Sequence, residues 1–163
     1  MAKIKQEEEK GFGDSDMREP KEESIERDKK NGWDHEKCTK DGKDMSHQIF
    51  DAPVKGQKLI YVKLPDGSFK FSPRPEPNPL ARGPRPTTLP HSMLGKAGKV
   101  IGAGECETDA DGKIVHADNF SGHYQPGEKN LEETKKNMEK QNMAKEGTKF
   151  NVLDKAGKVI KQI

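Results

Sequence analysis

The chain has 163 residues, of which 29% are hydrophobic and 36% are charged, and its net charge at neutral pH is +2. Globular domains are usually about 45–50% apolar, so this composition allows only a small core. The near balance of charges excludes the overall basic excess of many nucleic-acid-binding proteins, and two cysteines are too few for a disulfide framework or a zinc site.

Charged side chains dominate residues 1–45, which hold few apolar residues. Such a segment buries too little surface to offset the entropy lost on ordering. We therefore predict that residues 1–45 form a charged arm, either disordered or a solvated helix. Trp33, the one tryptophan of the chain, is a candidate for docking the arm onto the domain or a partner. The folded domain is predicted over residues 46–163.

No apolar run approaches the roughly 18 residues of a membrane span, and the first residues lack the apolar core of a cleavable signal. We expect no membrane association. If the protein is delivered out of the cell, we expect a route that needs no cleavable signal peptide. The two well-separated cysteines, Cys38 and Cys106, favour a reducing compartment.

Two hairpins are predicted in the first part of the domain. Residues 57–64 and 68–71 have strand composition and flank a Pro-Asp-Gly turn. Residues 99–105 and 113–117 flank the turn Asp-Ala-Asp-Gly in the same way.

A proline-rich connector is predicted between these hairpins. Residues 73–90 hold seven prolines together with Arg74, Arg82 and Arg85. Proline removes amide donors and favours polyproline II, so this segment is predicted to run extended over the surface. Its arginines could clamp an anionic substrate, or its prolines could bind a proline-recognising module.

The last third of the domain is predicted to hold one helix and one hairpin. Good helix formers run from Glu128 to Lys145, with Gly147 as the predicted stop. Residues 149–153 and 158–160 then form a hairpin. The predicted fold class is α+β, with a small, mainly antiparallel twisted sheet and one principal helix.

Three short segments indicate a site. The stretch 121–126, Ser-Gly-His-Tyr-Gln-Pro, places the imidazole of His123 beside the phenol of Tyr124. His91 precedes Ser92 upstream, and Ala-Gly-Glu places the carboxylate of Glu105 within an apolar stretch.

The order of these motifs resembles a family of C-terminal toxin domains. His-Ser, Val-x-x-Ala-Gly-Glu, Asp-Gly-Lys-Ile and Asn-x-Ser-Gly-His-Tyr-x-Pro follow one another between residues 91 and 126. This pattern is similar to that of Rhs-type polymorphic toxins, and a related pattern occurs in plant proteins with IQ motifs. The resemblance covers roughly residues 59–143. It implies an interbacterial effector that acts in the target-cell cytoplasm, with a cognate immunity protein as partner and a protein or RNA as target.

The resemblance favours an NAD-dependent ADP-ribosyltransferase without a metal. His91, together with Ser92, would hold the NAD ribose, and Tyr124 would stack on the nicotinamide. Glu105 would be the catalytic carboxylate, and His123 is the further candidate catalytic residue.

Two alternatives stay open. In a metal-independent ribonuclease, His123 with either His91 or Glu105 would serve as general acid and base, because imidazole titrates near neutral pH. Arg74, Arg82 and Arg85 would then hold phosphate. In a non-catalytic protein-binding module, Glu105 would face solvent on a strand and Tyr124 would pack on the helix. His116 is expected on a strand face in either case.

Overall fold

The computed structural model describes residues 19–74, 80, 88–121, 124, 126–154 and 156–163. The helices in these residues are α1 (Glu22–Lys30), α2 (His91–Leu94) and α3 (Glu128–Lys140), with a 3₁₀ turn at Ser46–Gln48. Three short strands come first: β1 (Trp33–Asp34), β2 (Thr39–Lys40) and β3 (Lys43–Asp44). Six more follow: β4 (Lys58–Lys63), β5 (Phe69–Pro73), β6 (Gly102–Thr108), β7 (Ile114–Asp118), β8 (Ala144–Leu153) and β9 (Val159–Gln162).

The main sheet has six strands in the order β5-β4-β6-β7-β8-β9. All neighbours in it are antiparallel except β7 and β8. The parallel pair needs a crossover connection, and α3 supplies it because it lies between these two strands in the chain. The predicted α+β class with a mainly antiparallel sheet is confirmed.

The hairpin turns are built on aspartate side chains. In the β6–β7 turn, Asp109 Oδ1 accepts the backbone N–H groups of Asp111 and Lys113 at 2.9 and 3.0 Å. In the β8–β9 turn, Asp154 Oδ1 accepts those of Ala156 and Lys158, both at 2.9 Å. The β4–β5, β6–β7 and β8–β9 pairings confirm the three predicted hairpins.

The principal helix is shorter than predicted, since α3 ends at Lys140 rather than at Lys145. Asn142 adopts a left-handed conformation with φ 58° and donates its N–H to Glu139 at 3.1 Å, while Met143 donates to Met138 at 2.8 Å. This pair of bonds is the Schellman ending of a helix. Gly147, the predicted stop, instead lies within β8.

Two apolar clusters lie on the two faces of the main sheet. On one face, Leu131 and Met138 of α3 pack in a cluster with residues of β4 to β8: Leu59, Tyr61, Phe69, Phe71, Cys106, Ile114, Ala117, Phe150 and Val152. On the other face, the cluster joins α2 and the chain around it to residues of β4 and β6: Ile60, Val62, Leu89, Met93, Leu94, Val100, Ala103 and Tyr124.

The second cluster also includes Trp33, Cys38 and Met45, which are 7 to 8% exposed. The expectation of a separate arm is therefore wrong for residues 22–45, which form α1 and the three-stranded sheet and pack on the domain. The hypothesis that Trp33 docks this segment onto the domain is confirmed. The residues before Glu19 lie outside the described part of the chain.

The predicted connector lies mostly outside the described residues, which exclude 75–79 and 81–87. Its first residue, Pro73, ends β5, and Leu89 near its end is 1% exposed in the second cluster. Among the described residues, none of the helices is long and apolar enough to cross a membrane.

Candidate functional site

Polar side chains cross the main sheet on the face opposite α3. Glu105 is opposite Ile60, His116 is opposite Glu107, and Asp118 is opposite Asn151 in the strand registers. Because successive strand residues alternate between faces, these side chains share the face of Ile60. We call the set the polar row, and it consists of Arg74, Glu105, His116, Asp118 and Asn151.

Glu105 and Arg74 form an ion pair at one end of the polar row. The Glu105 side chain is 27% exposed and that of Arg74 is 48% exposed, so both are open to solvent. The backbone N–H of Arg74 donates to the Lys58 carbonyl at 2.8 Å, which holds the arginine at the end of β5. The ion pair places the guanidinium of Arg74 against the carboxylate of Glu105.

Asp118 is the buried carboxyl of the polar row, at 6% exposure. Its Oδ1 accepts the backbone N–H groups of Glu105 and Phe120, both at 2.9 Å. Burial raises the pKa of Asp118 to about 6, against the opposing effects of the Phe120 hydrogen bond and of His116 and Arg74. A carboxyl that titrates close to neutral pH beside an arginine and a histidine is a candidate acid–base group.

The imidazole of His116 is held by the Asn151 amide, which Gln162 holds in turn. Asn151 Nδ2 lies 2.7 Å from His116 Nε2, and Gln162 Nε2 donates to Asn151 Oδ1 at 3.0 Å. In this arrangement Nε2 accepts from Asn151, so the proton of the neutral ring is on Nδ1. His116 therefore presents an N–H donor, and its predicted place on a strand face is confirmed by β7.

His91 and Ser92, two predicted site residues, are buried at 7% and 0% exposure. His91 Nε2 lies 2.7 Å from the Gly104 carbonyl oxygen, so it holds the backbone directly before Glu105. Ser92 Oγ donates to Asp28 Oδ2 at 2.7 Å and lies 2.9 Å from His35 Nε2. Both residues thus contact other protein groups in the interior.

Tyr124 is 1% exposed, and its hydroxyl donates to the Gly98 carbonyl at 3.1 Å. Burial raises the pKa of its phenol. Stacking on a nicotinamide ring requires an open aromatic face, which this packing does not offer. His123, the other residue of the same motif, lies outside the described residues.

The structure therefore joins two of the predicted segments: the His91 side chain bonds to the Ala-Gly-Glu segment, whose Glu105 lies in the polar row. Asp118 and Asn151 are not among the predicted site residues, and His116 is predicted only on a strand face. One signal was available, because His116 and Asp118 are two positions apart on a predicted strand and so share a face. Their pairing with Glu105 depends on the strand order, which a local pattern does not give.

Within the described residues, no group of three or more His, Cys, Asp or Glu side chains is placed to hold a metal ion. Compared with protein-family models, with curated proteins and with solved structures, the chain matches none of them.

Proposed function

We propose that this chain is the effector domain of an interbacterial toxin and cleaves RNA with protein acid–base groups in the polar row. The observation that carries the proposal is the pairing of Glu105 and Asp118, two carboxyls on neighbouring strands in different environments. Glu105 forms an ion pair with Arg74, whereas burial raises the pKa of Asp118 to about 6. A carboxylate paired with a cation and a buried carboxyl of raised pKa are suited to act as base and acid.

In the proposed reaction the ionised carboxylate of Glu105 takes the proton of a ribose 2′-hydroxyl. The 2′-oxygen attacks the adjacent phosphorus, and the bond from phosphorus to the 5′-oxygen breaks. Protonated Asp118 gives its proton to the departing 5′-oxygen. The products are a 2′,3′-cyclic phosphate and a 5′-hydroxyl, and neither a redox step nor a cofactor is needed.

Arg74 and His116 are suited to hold the phosphate. A guanidinium donates two parallel hydrogen bonds to phosphate oxygens, and its positive charge stabilises the dianionic transition state. The His116 Nδ1–H adds a donor whose orientation the Asn151 contact fixes. Lys149, which is exposed and opposite His116 in the sheet, adds a second positive charge on the same face.

NAD-dependent ADP-ribosyl transfer, the activity that the resemblance favours, remains a second prediction. Its support in the described residues is Glu105, whose side chain is 27% exposed on the face opposite α3. The burial of His91, Ser92 and Tyr124 supports roles in packing more than contacts to NAD. For this reason we place RNA cleavage first. The cognate immunity protein and action in the target-cell cytoplasm belong to the proposal through the resemblance.

The test is cleavage of a labelled single-stranded RNA by the purified chain in the presence of EDTA, with the product ends identified by mass spectrometry. The wild type should give 2′,3′-cyclic phosphate ends. General acid–base groups contribute about 100- to 10,000-fold, so Glu105→Gln and Asp118→Asn should each lower kcat by at least about 100-fold. Arg74→Ala should lower kcat/KM through weaker phosphate binding.

Glu146→Gln is the matched control, since Glu146 is an exposed glutamate on β8 that takes no part in the proposed reaction. An oligonucleotide with 2′-deoxyribose throughout should resist cleavage because it lacks the nucleophile. Full activity of Glu105→Gln, or cleavage of the deoxy substrate, would contradict the mechanism. Label transfer from NAD to a protein, without RNA cleavage, would instead favour ADP-ribosyl transfer.

A further inference from the structure

Phe120 lies immediately beyond the polar row, in the loop that follows β7. Its backbone N–H donates to Asp118 Oδ1 at 2.9 Å, the same oxygen that accepts the Glu105 N–H. The backbone of Phe120 is therefore bonded directly to the proposed acid. The residue is half-buried, so part of its surface is open to solvent.

The loop that carries Phe120 is held on two sides by Asn119. Asn119 Nδ2 donates to the Pro126 carbonyl at 2.8 Å, and Asn119 Oδ1 accepts the Leu153 N–H at 2.7 Å. The first bond ties the loop to the start of α3, and the second ties it to the end of β8. The position of the Phe120 backbone is thus fixed by the two residues that precede it, Asp118 and Asn119.

The ring of Phe120 rests against the backbone of Gly157 in the β8–β9 turn. A Cβ atom at Gly157 would lie 3.2 Å from Phe120 Cε1 and 3.4 Å from Cζ, so the glycine gives the ring its space. Gly157 has φ 82°, a conformation that also favours glycine. Lys158, the next residue in the chain after Gly157, is exposed and positively charged.

We propose that Phe120 is a stacking platform for a nucleobase next to the phosphate held by Arg74, and that the substrate is single-stranded RNA. This inference rests on the function proposed above. The backbone of Phe120 bonds the proposed acid, its ring packs on Gly157, and the exposed Lys158 comes next in the chain. An aromatic ring and cations are the elements of single-strand binding sites, in which bases stack on aromatic residues and cations follow the backbone. A base inside a duplex is already stacked and cannot reach such a ring.

Binding is measured separately from cleavage, with a fluorescent RNA whose 2′-hydroxyls are methylated so that it cannot be cleaved. Phe120→Leu should weaken its binding about tenfold, which corresponds to about 1.4 kcal/mol. Phe120→Trp should restore it, because indole also stacks on bases. Phe50→Leu is the matched control: Phe50 is 37% exposed and lies beside β5, at the other end of the sheet from Phe120.

The same variants are then assayed for cleavage of single-stranded RNA and of an RNA hairpin stem. The wild type should prefer the single strand, and Phe120→Leu should raise KM for it more than it lowers kcat. Cleavage with equal KM in Phe120→Leu and Phe50→Leu would overturn the stacking proposal and leave the RNA-cleaving function intact. Phe120-dependent binding without any cleavage would overturn the function but support the platform. If Phe120→Leu keeps both wild-type binding and wild-type cleavage, or if the wild type cleaves the hairpin stem as well as the single strand, the inference is overturned.

Discussion

The backbone N–H of Glu105 donates to Asp118 Oδ1 at 2.9 Å across strands β6 and β7. This bond fixes the Asp118 carboxyl through one oxygen, which also accepts the Phe120 N–H, so Oδ2 is the atom that carries the proton in the acid form. The bond also brings two carboxyls of different environment onto one face of the sheet. The first predictions follow from this pair.

The rate of RNA cleavage should depend on the protonation of Asp118. With a pKa of about 6, the acid form falls about tenfold for each pH unit above that value. We therefore expect kcat/KM to decline about tenfold between pH 7 and pH 8 and to be higher near pH 6 than at pH 7. The residual activity of Asp118→Asn should lack this alkaline decline. A wild-type rate that rises steadily from pH 6 to pH 8 would contradict the assignment of Asp118 as the acid.

Asp118 should also make the stability of the protein depend on pH. Its pKa is raised from the usual 3.8 to about 6, so the folded state binds a proton that the unfolded state releases. The stabilisation is complete below about pH 4 and is lost as pH rises through 6, by about 3 kcal/mol in total.

Urea unfolding at a series of pH values measures this effect. The free energy of unfolding of the wild type, relative to that of Asp118→Asn, should fall between pH 4 and pH 7. Exposed aspartates whose pKa values are lowered by backbone hydrogen bonds, such as Asp44, have the opposite effect on stability at acid pH. The comparison with Asp118→Asn removes their contribution. A difference that stays constant over this range would show that Asp118 is not buried as described.

Gly104 should tolerate no side chain, because the strand packs closely at this position. A Cβ atom here would clash with the Asp118 carbonyl oxygen and approach the Tyr61 hydroxyl to 3.0 Å. Tyr61 itself donates to that carbonyl at 2.5 Å. Gly104→Ala must therefore move backbone at the centre of the sheet, and we expect a loss of about 2–3 kcal/mol of stability or more.

Gly98→Ala is the control for Gly104→Ala, since a Cβ atom at Gly98 meets only the Gly95 carbonyl oxygen, at 3.2 Å. It should unfold at a urea concentration close to that of the wild type. Equal stability of the two variants would contradict the packing of β6 against β7. The close packing of the strand thus explains the glycine of the Ala-Gly-Glu motif, independently of the chemistry of Glu105.

Strand composition and aspartate turns suffice to predict the hairpins, because both are local. Relations between distant segments escape a local pattern. The octapeptides 94–101 and 153–160 are identical at seven of eight positions, yet the first follows α2 and the second makes the β8–β9 turn. The two copies differ only at Gly95 and Asp154. The Asp154 carboxylate accepts backbone N–H groups in a hairpin turn, whereas a Cβ at Gly95 would lie 2.7 Å from the Tyr124 hydroxyl.

The same limit explains the incorrect prediction for the N-terminal segment. Residues 22–45 are too polar to form a core of their own, and their composition alone predicts an arm. In the structure, a few of their apolar side chains pack in a cluster that consists mainly of residues from the rest of the domain. Asp28 also accepts a hydrogen bond from the hydroxyl of Ser92, which lies 64 positions later in the chain. The two partners of that bond are too far apart in the sequence for a local pattern to include both.

Ser92→Ala should loosen the attachment of the N-terminal segment. It removes the hydroxyl that donates to Asp28 and contacts His35, and these groups are buried, so we expect a loss of about 1–3 kcal/mol. Ser68→Ala is a matched control, because Ser68 makes the same kind of bond to Asp66 at an exposed turn. Amide hydrogen exchange of α1 should accelerate in Ser92→Ala alone. Unchanged exchange in α1 would contradict the role of this bond.

His91 separates the two catalytic hypotheses. Its Nε2 donates to the Gly104 carbonyl in the interior, so in the proposed ribonuclease it positions the backbone before Glu105 and does not contact substrate. His91→Ala should lower stability by about 1–3 kcal/mol, since it leaves a buried carbonyl without this donor. Its kcat, measured at a temperature where the variant is fully folded, should fall far less than that of Glu105→Gln. His91→Gln, whose amide can donate to the same carbonyl, should recover part of the stability. If His91→Ala is as stable as the wild type but inactive, His91 acts in the chemistry. That result would favour the NAD-dependent mechanism.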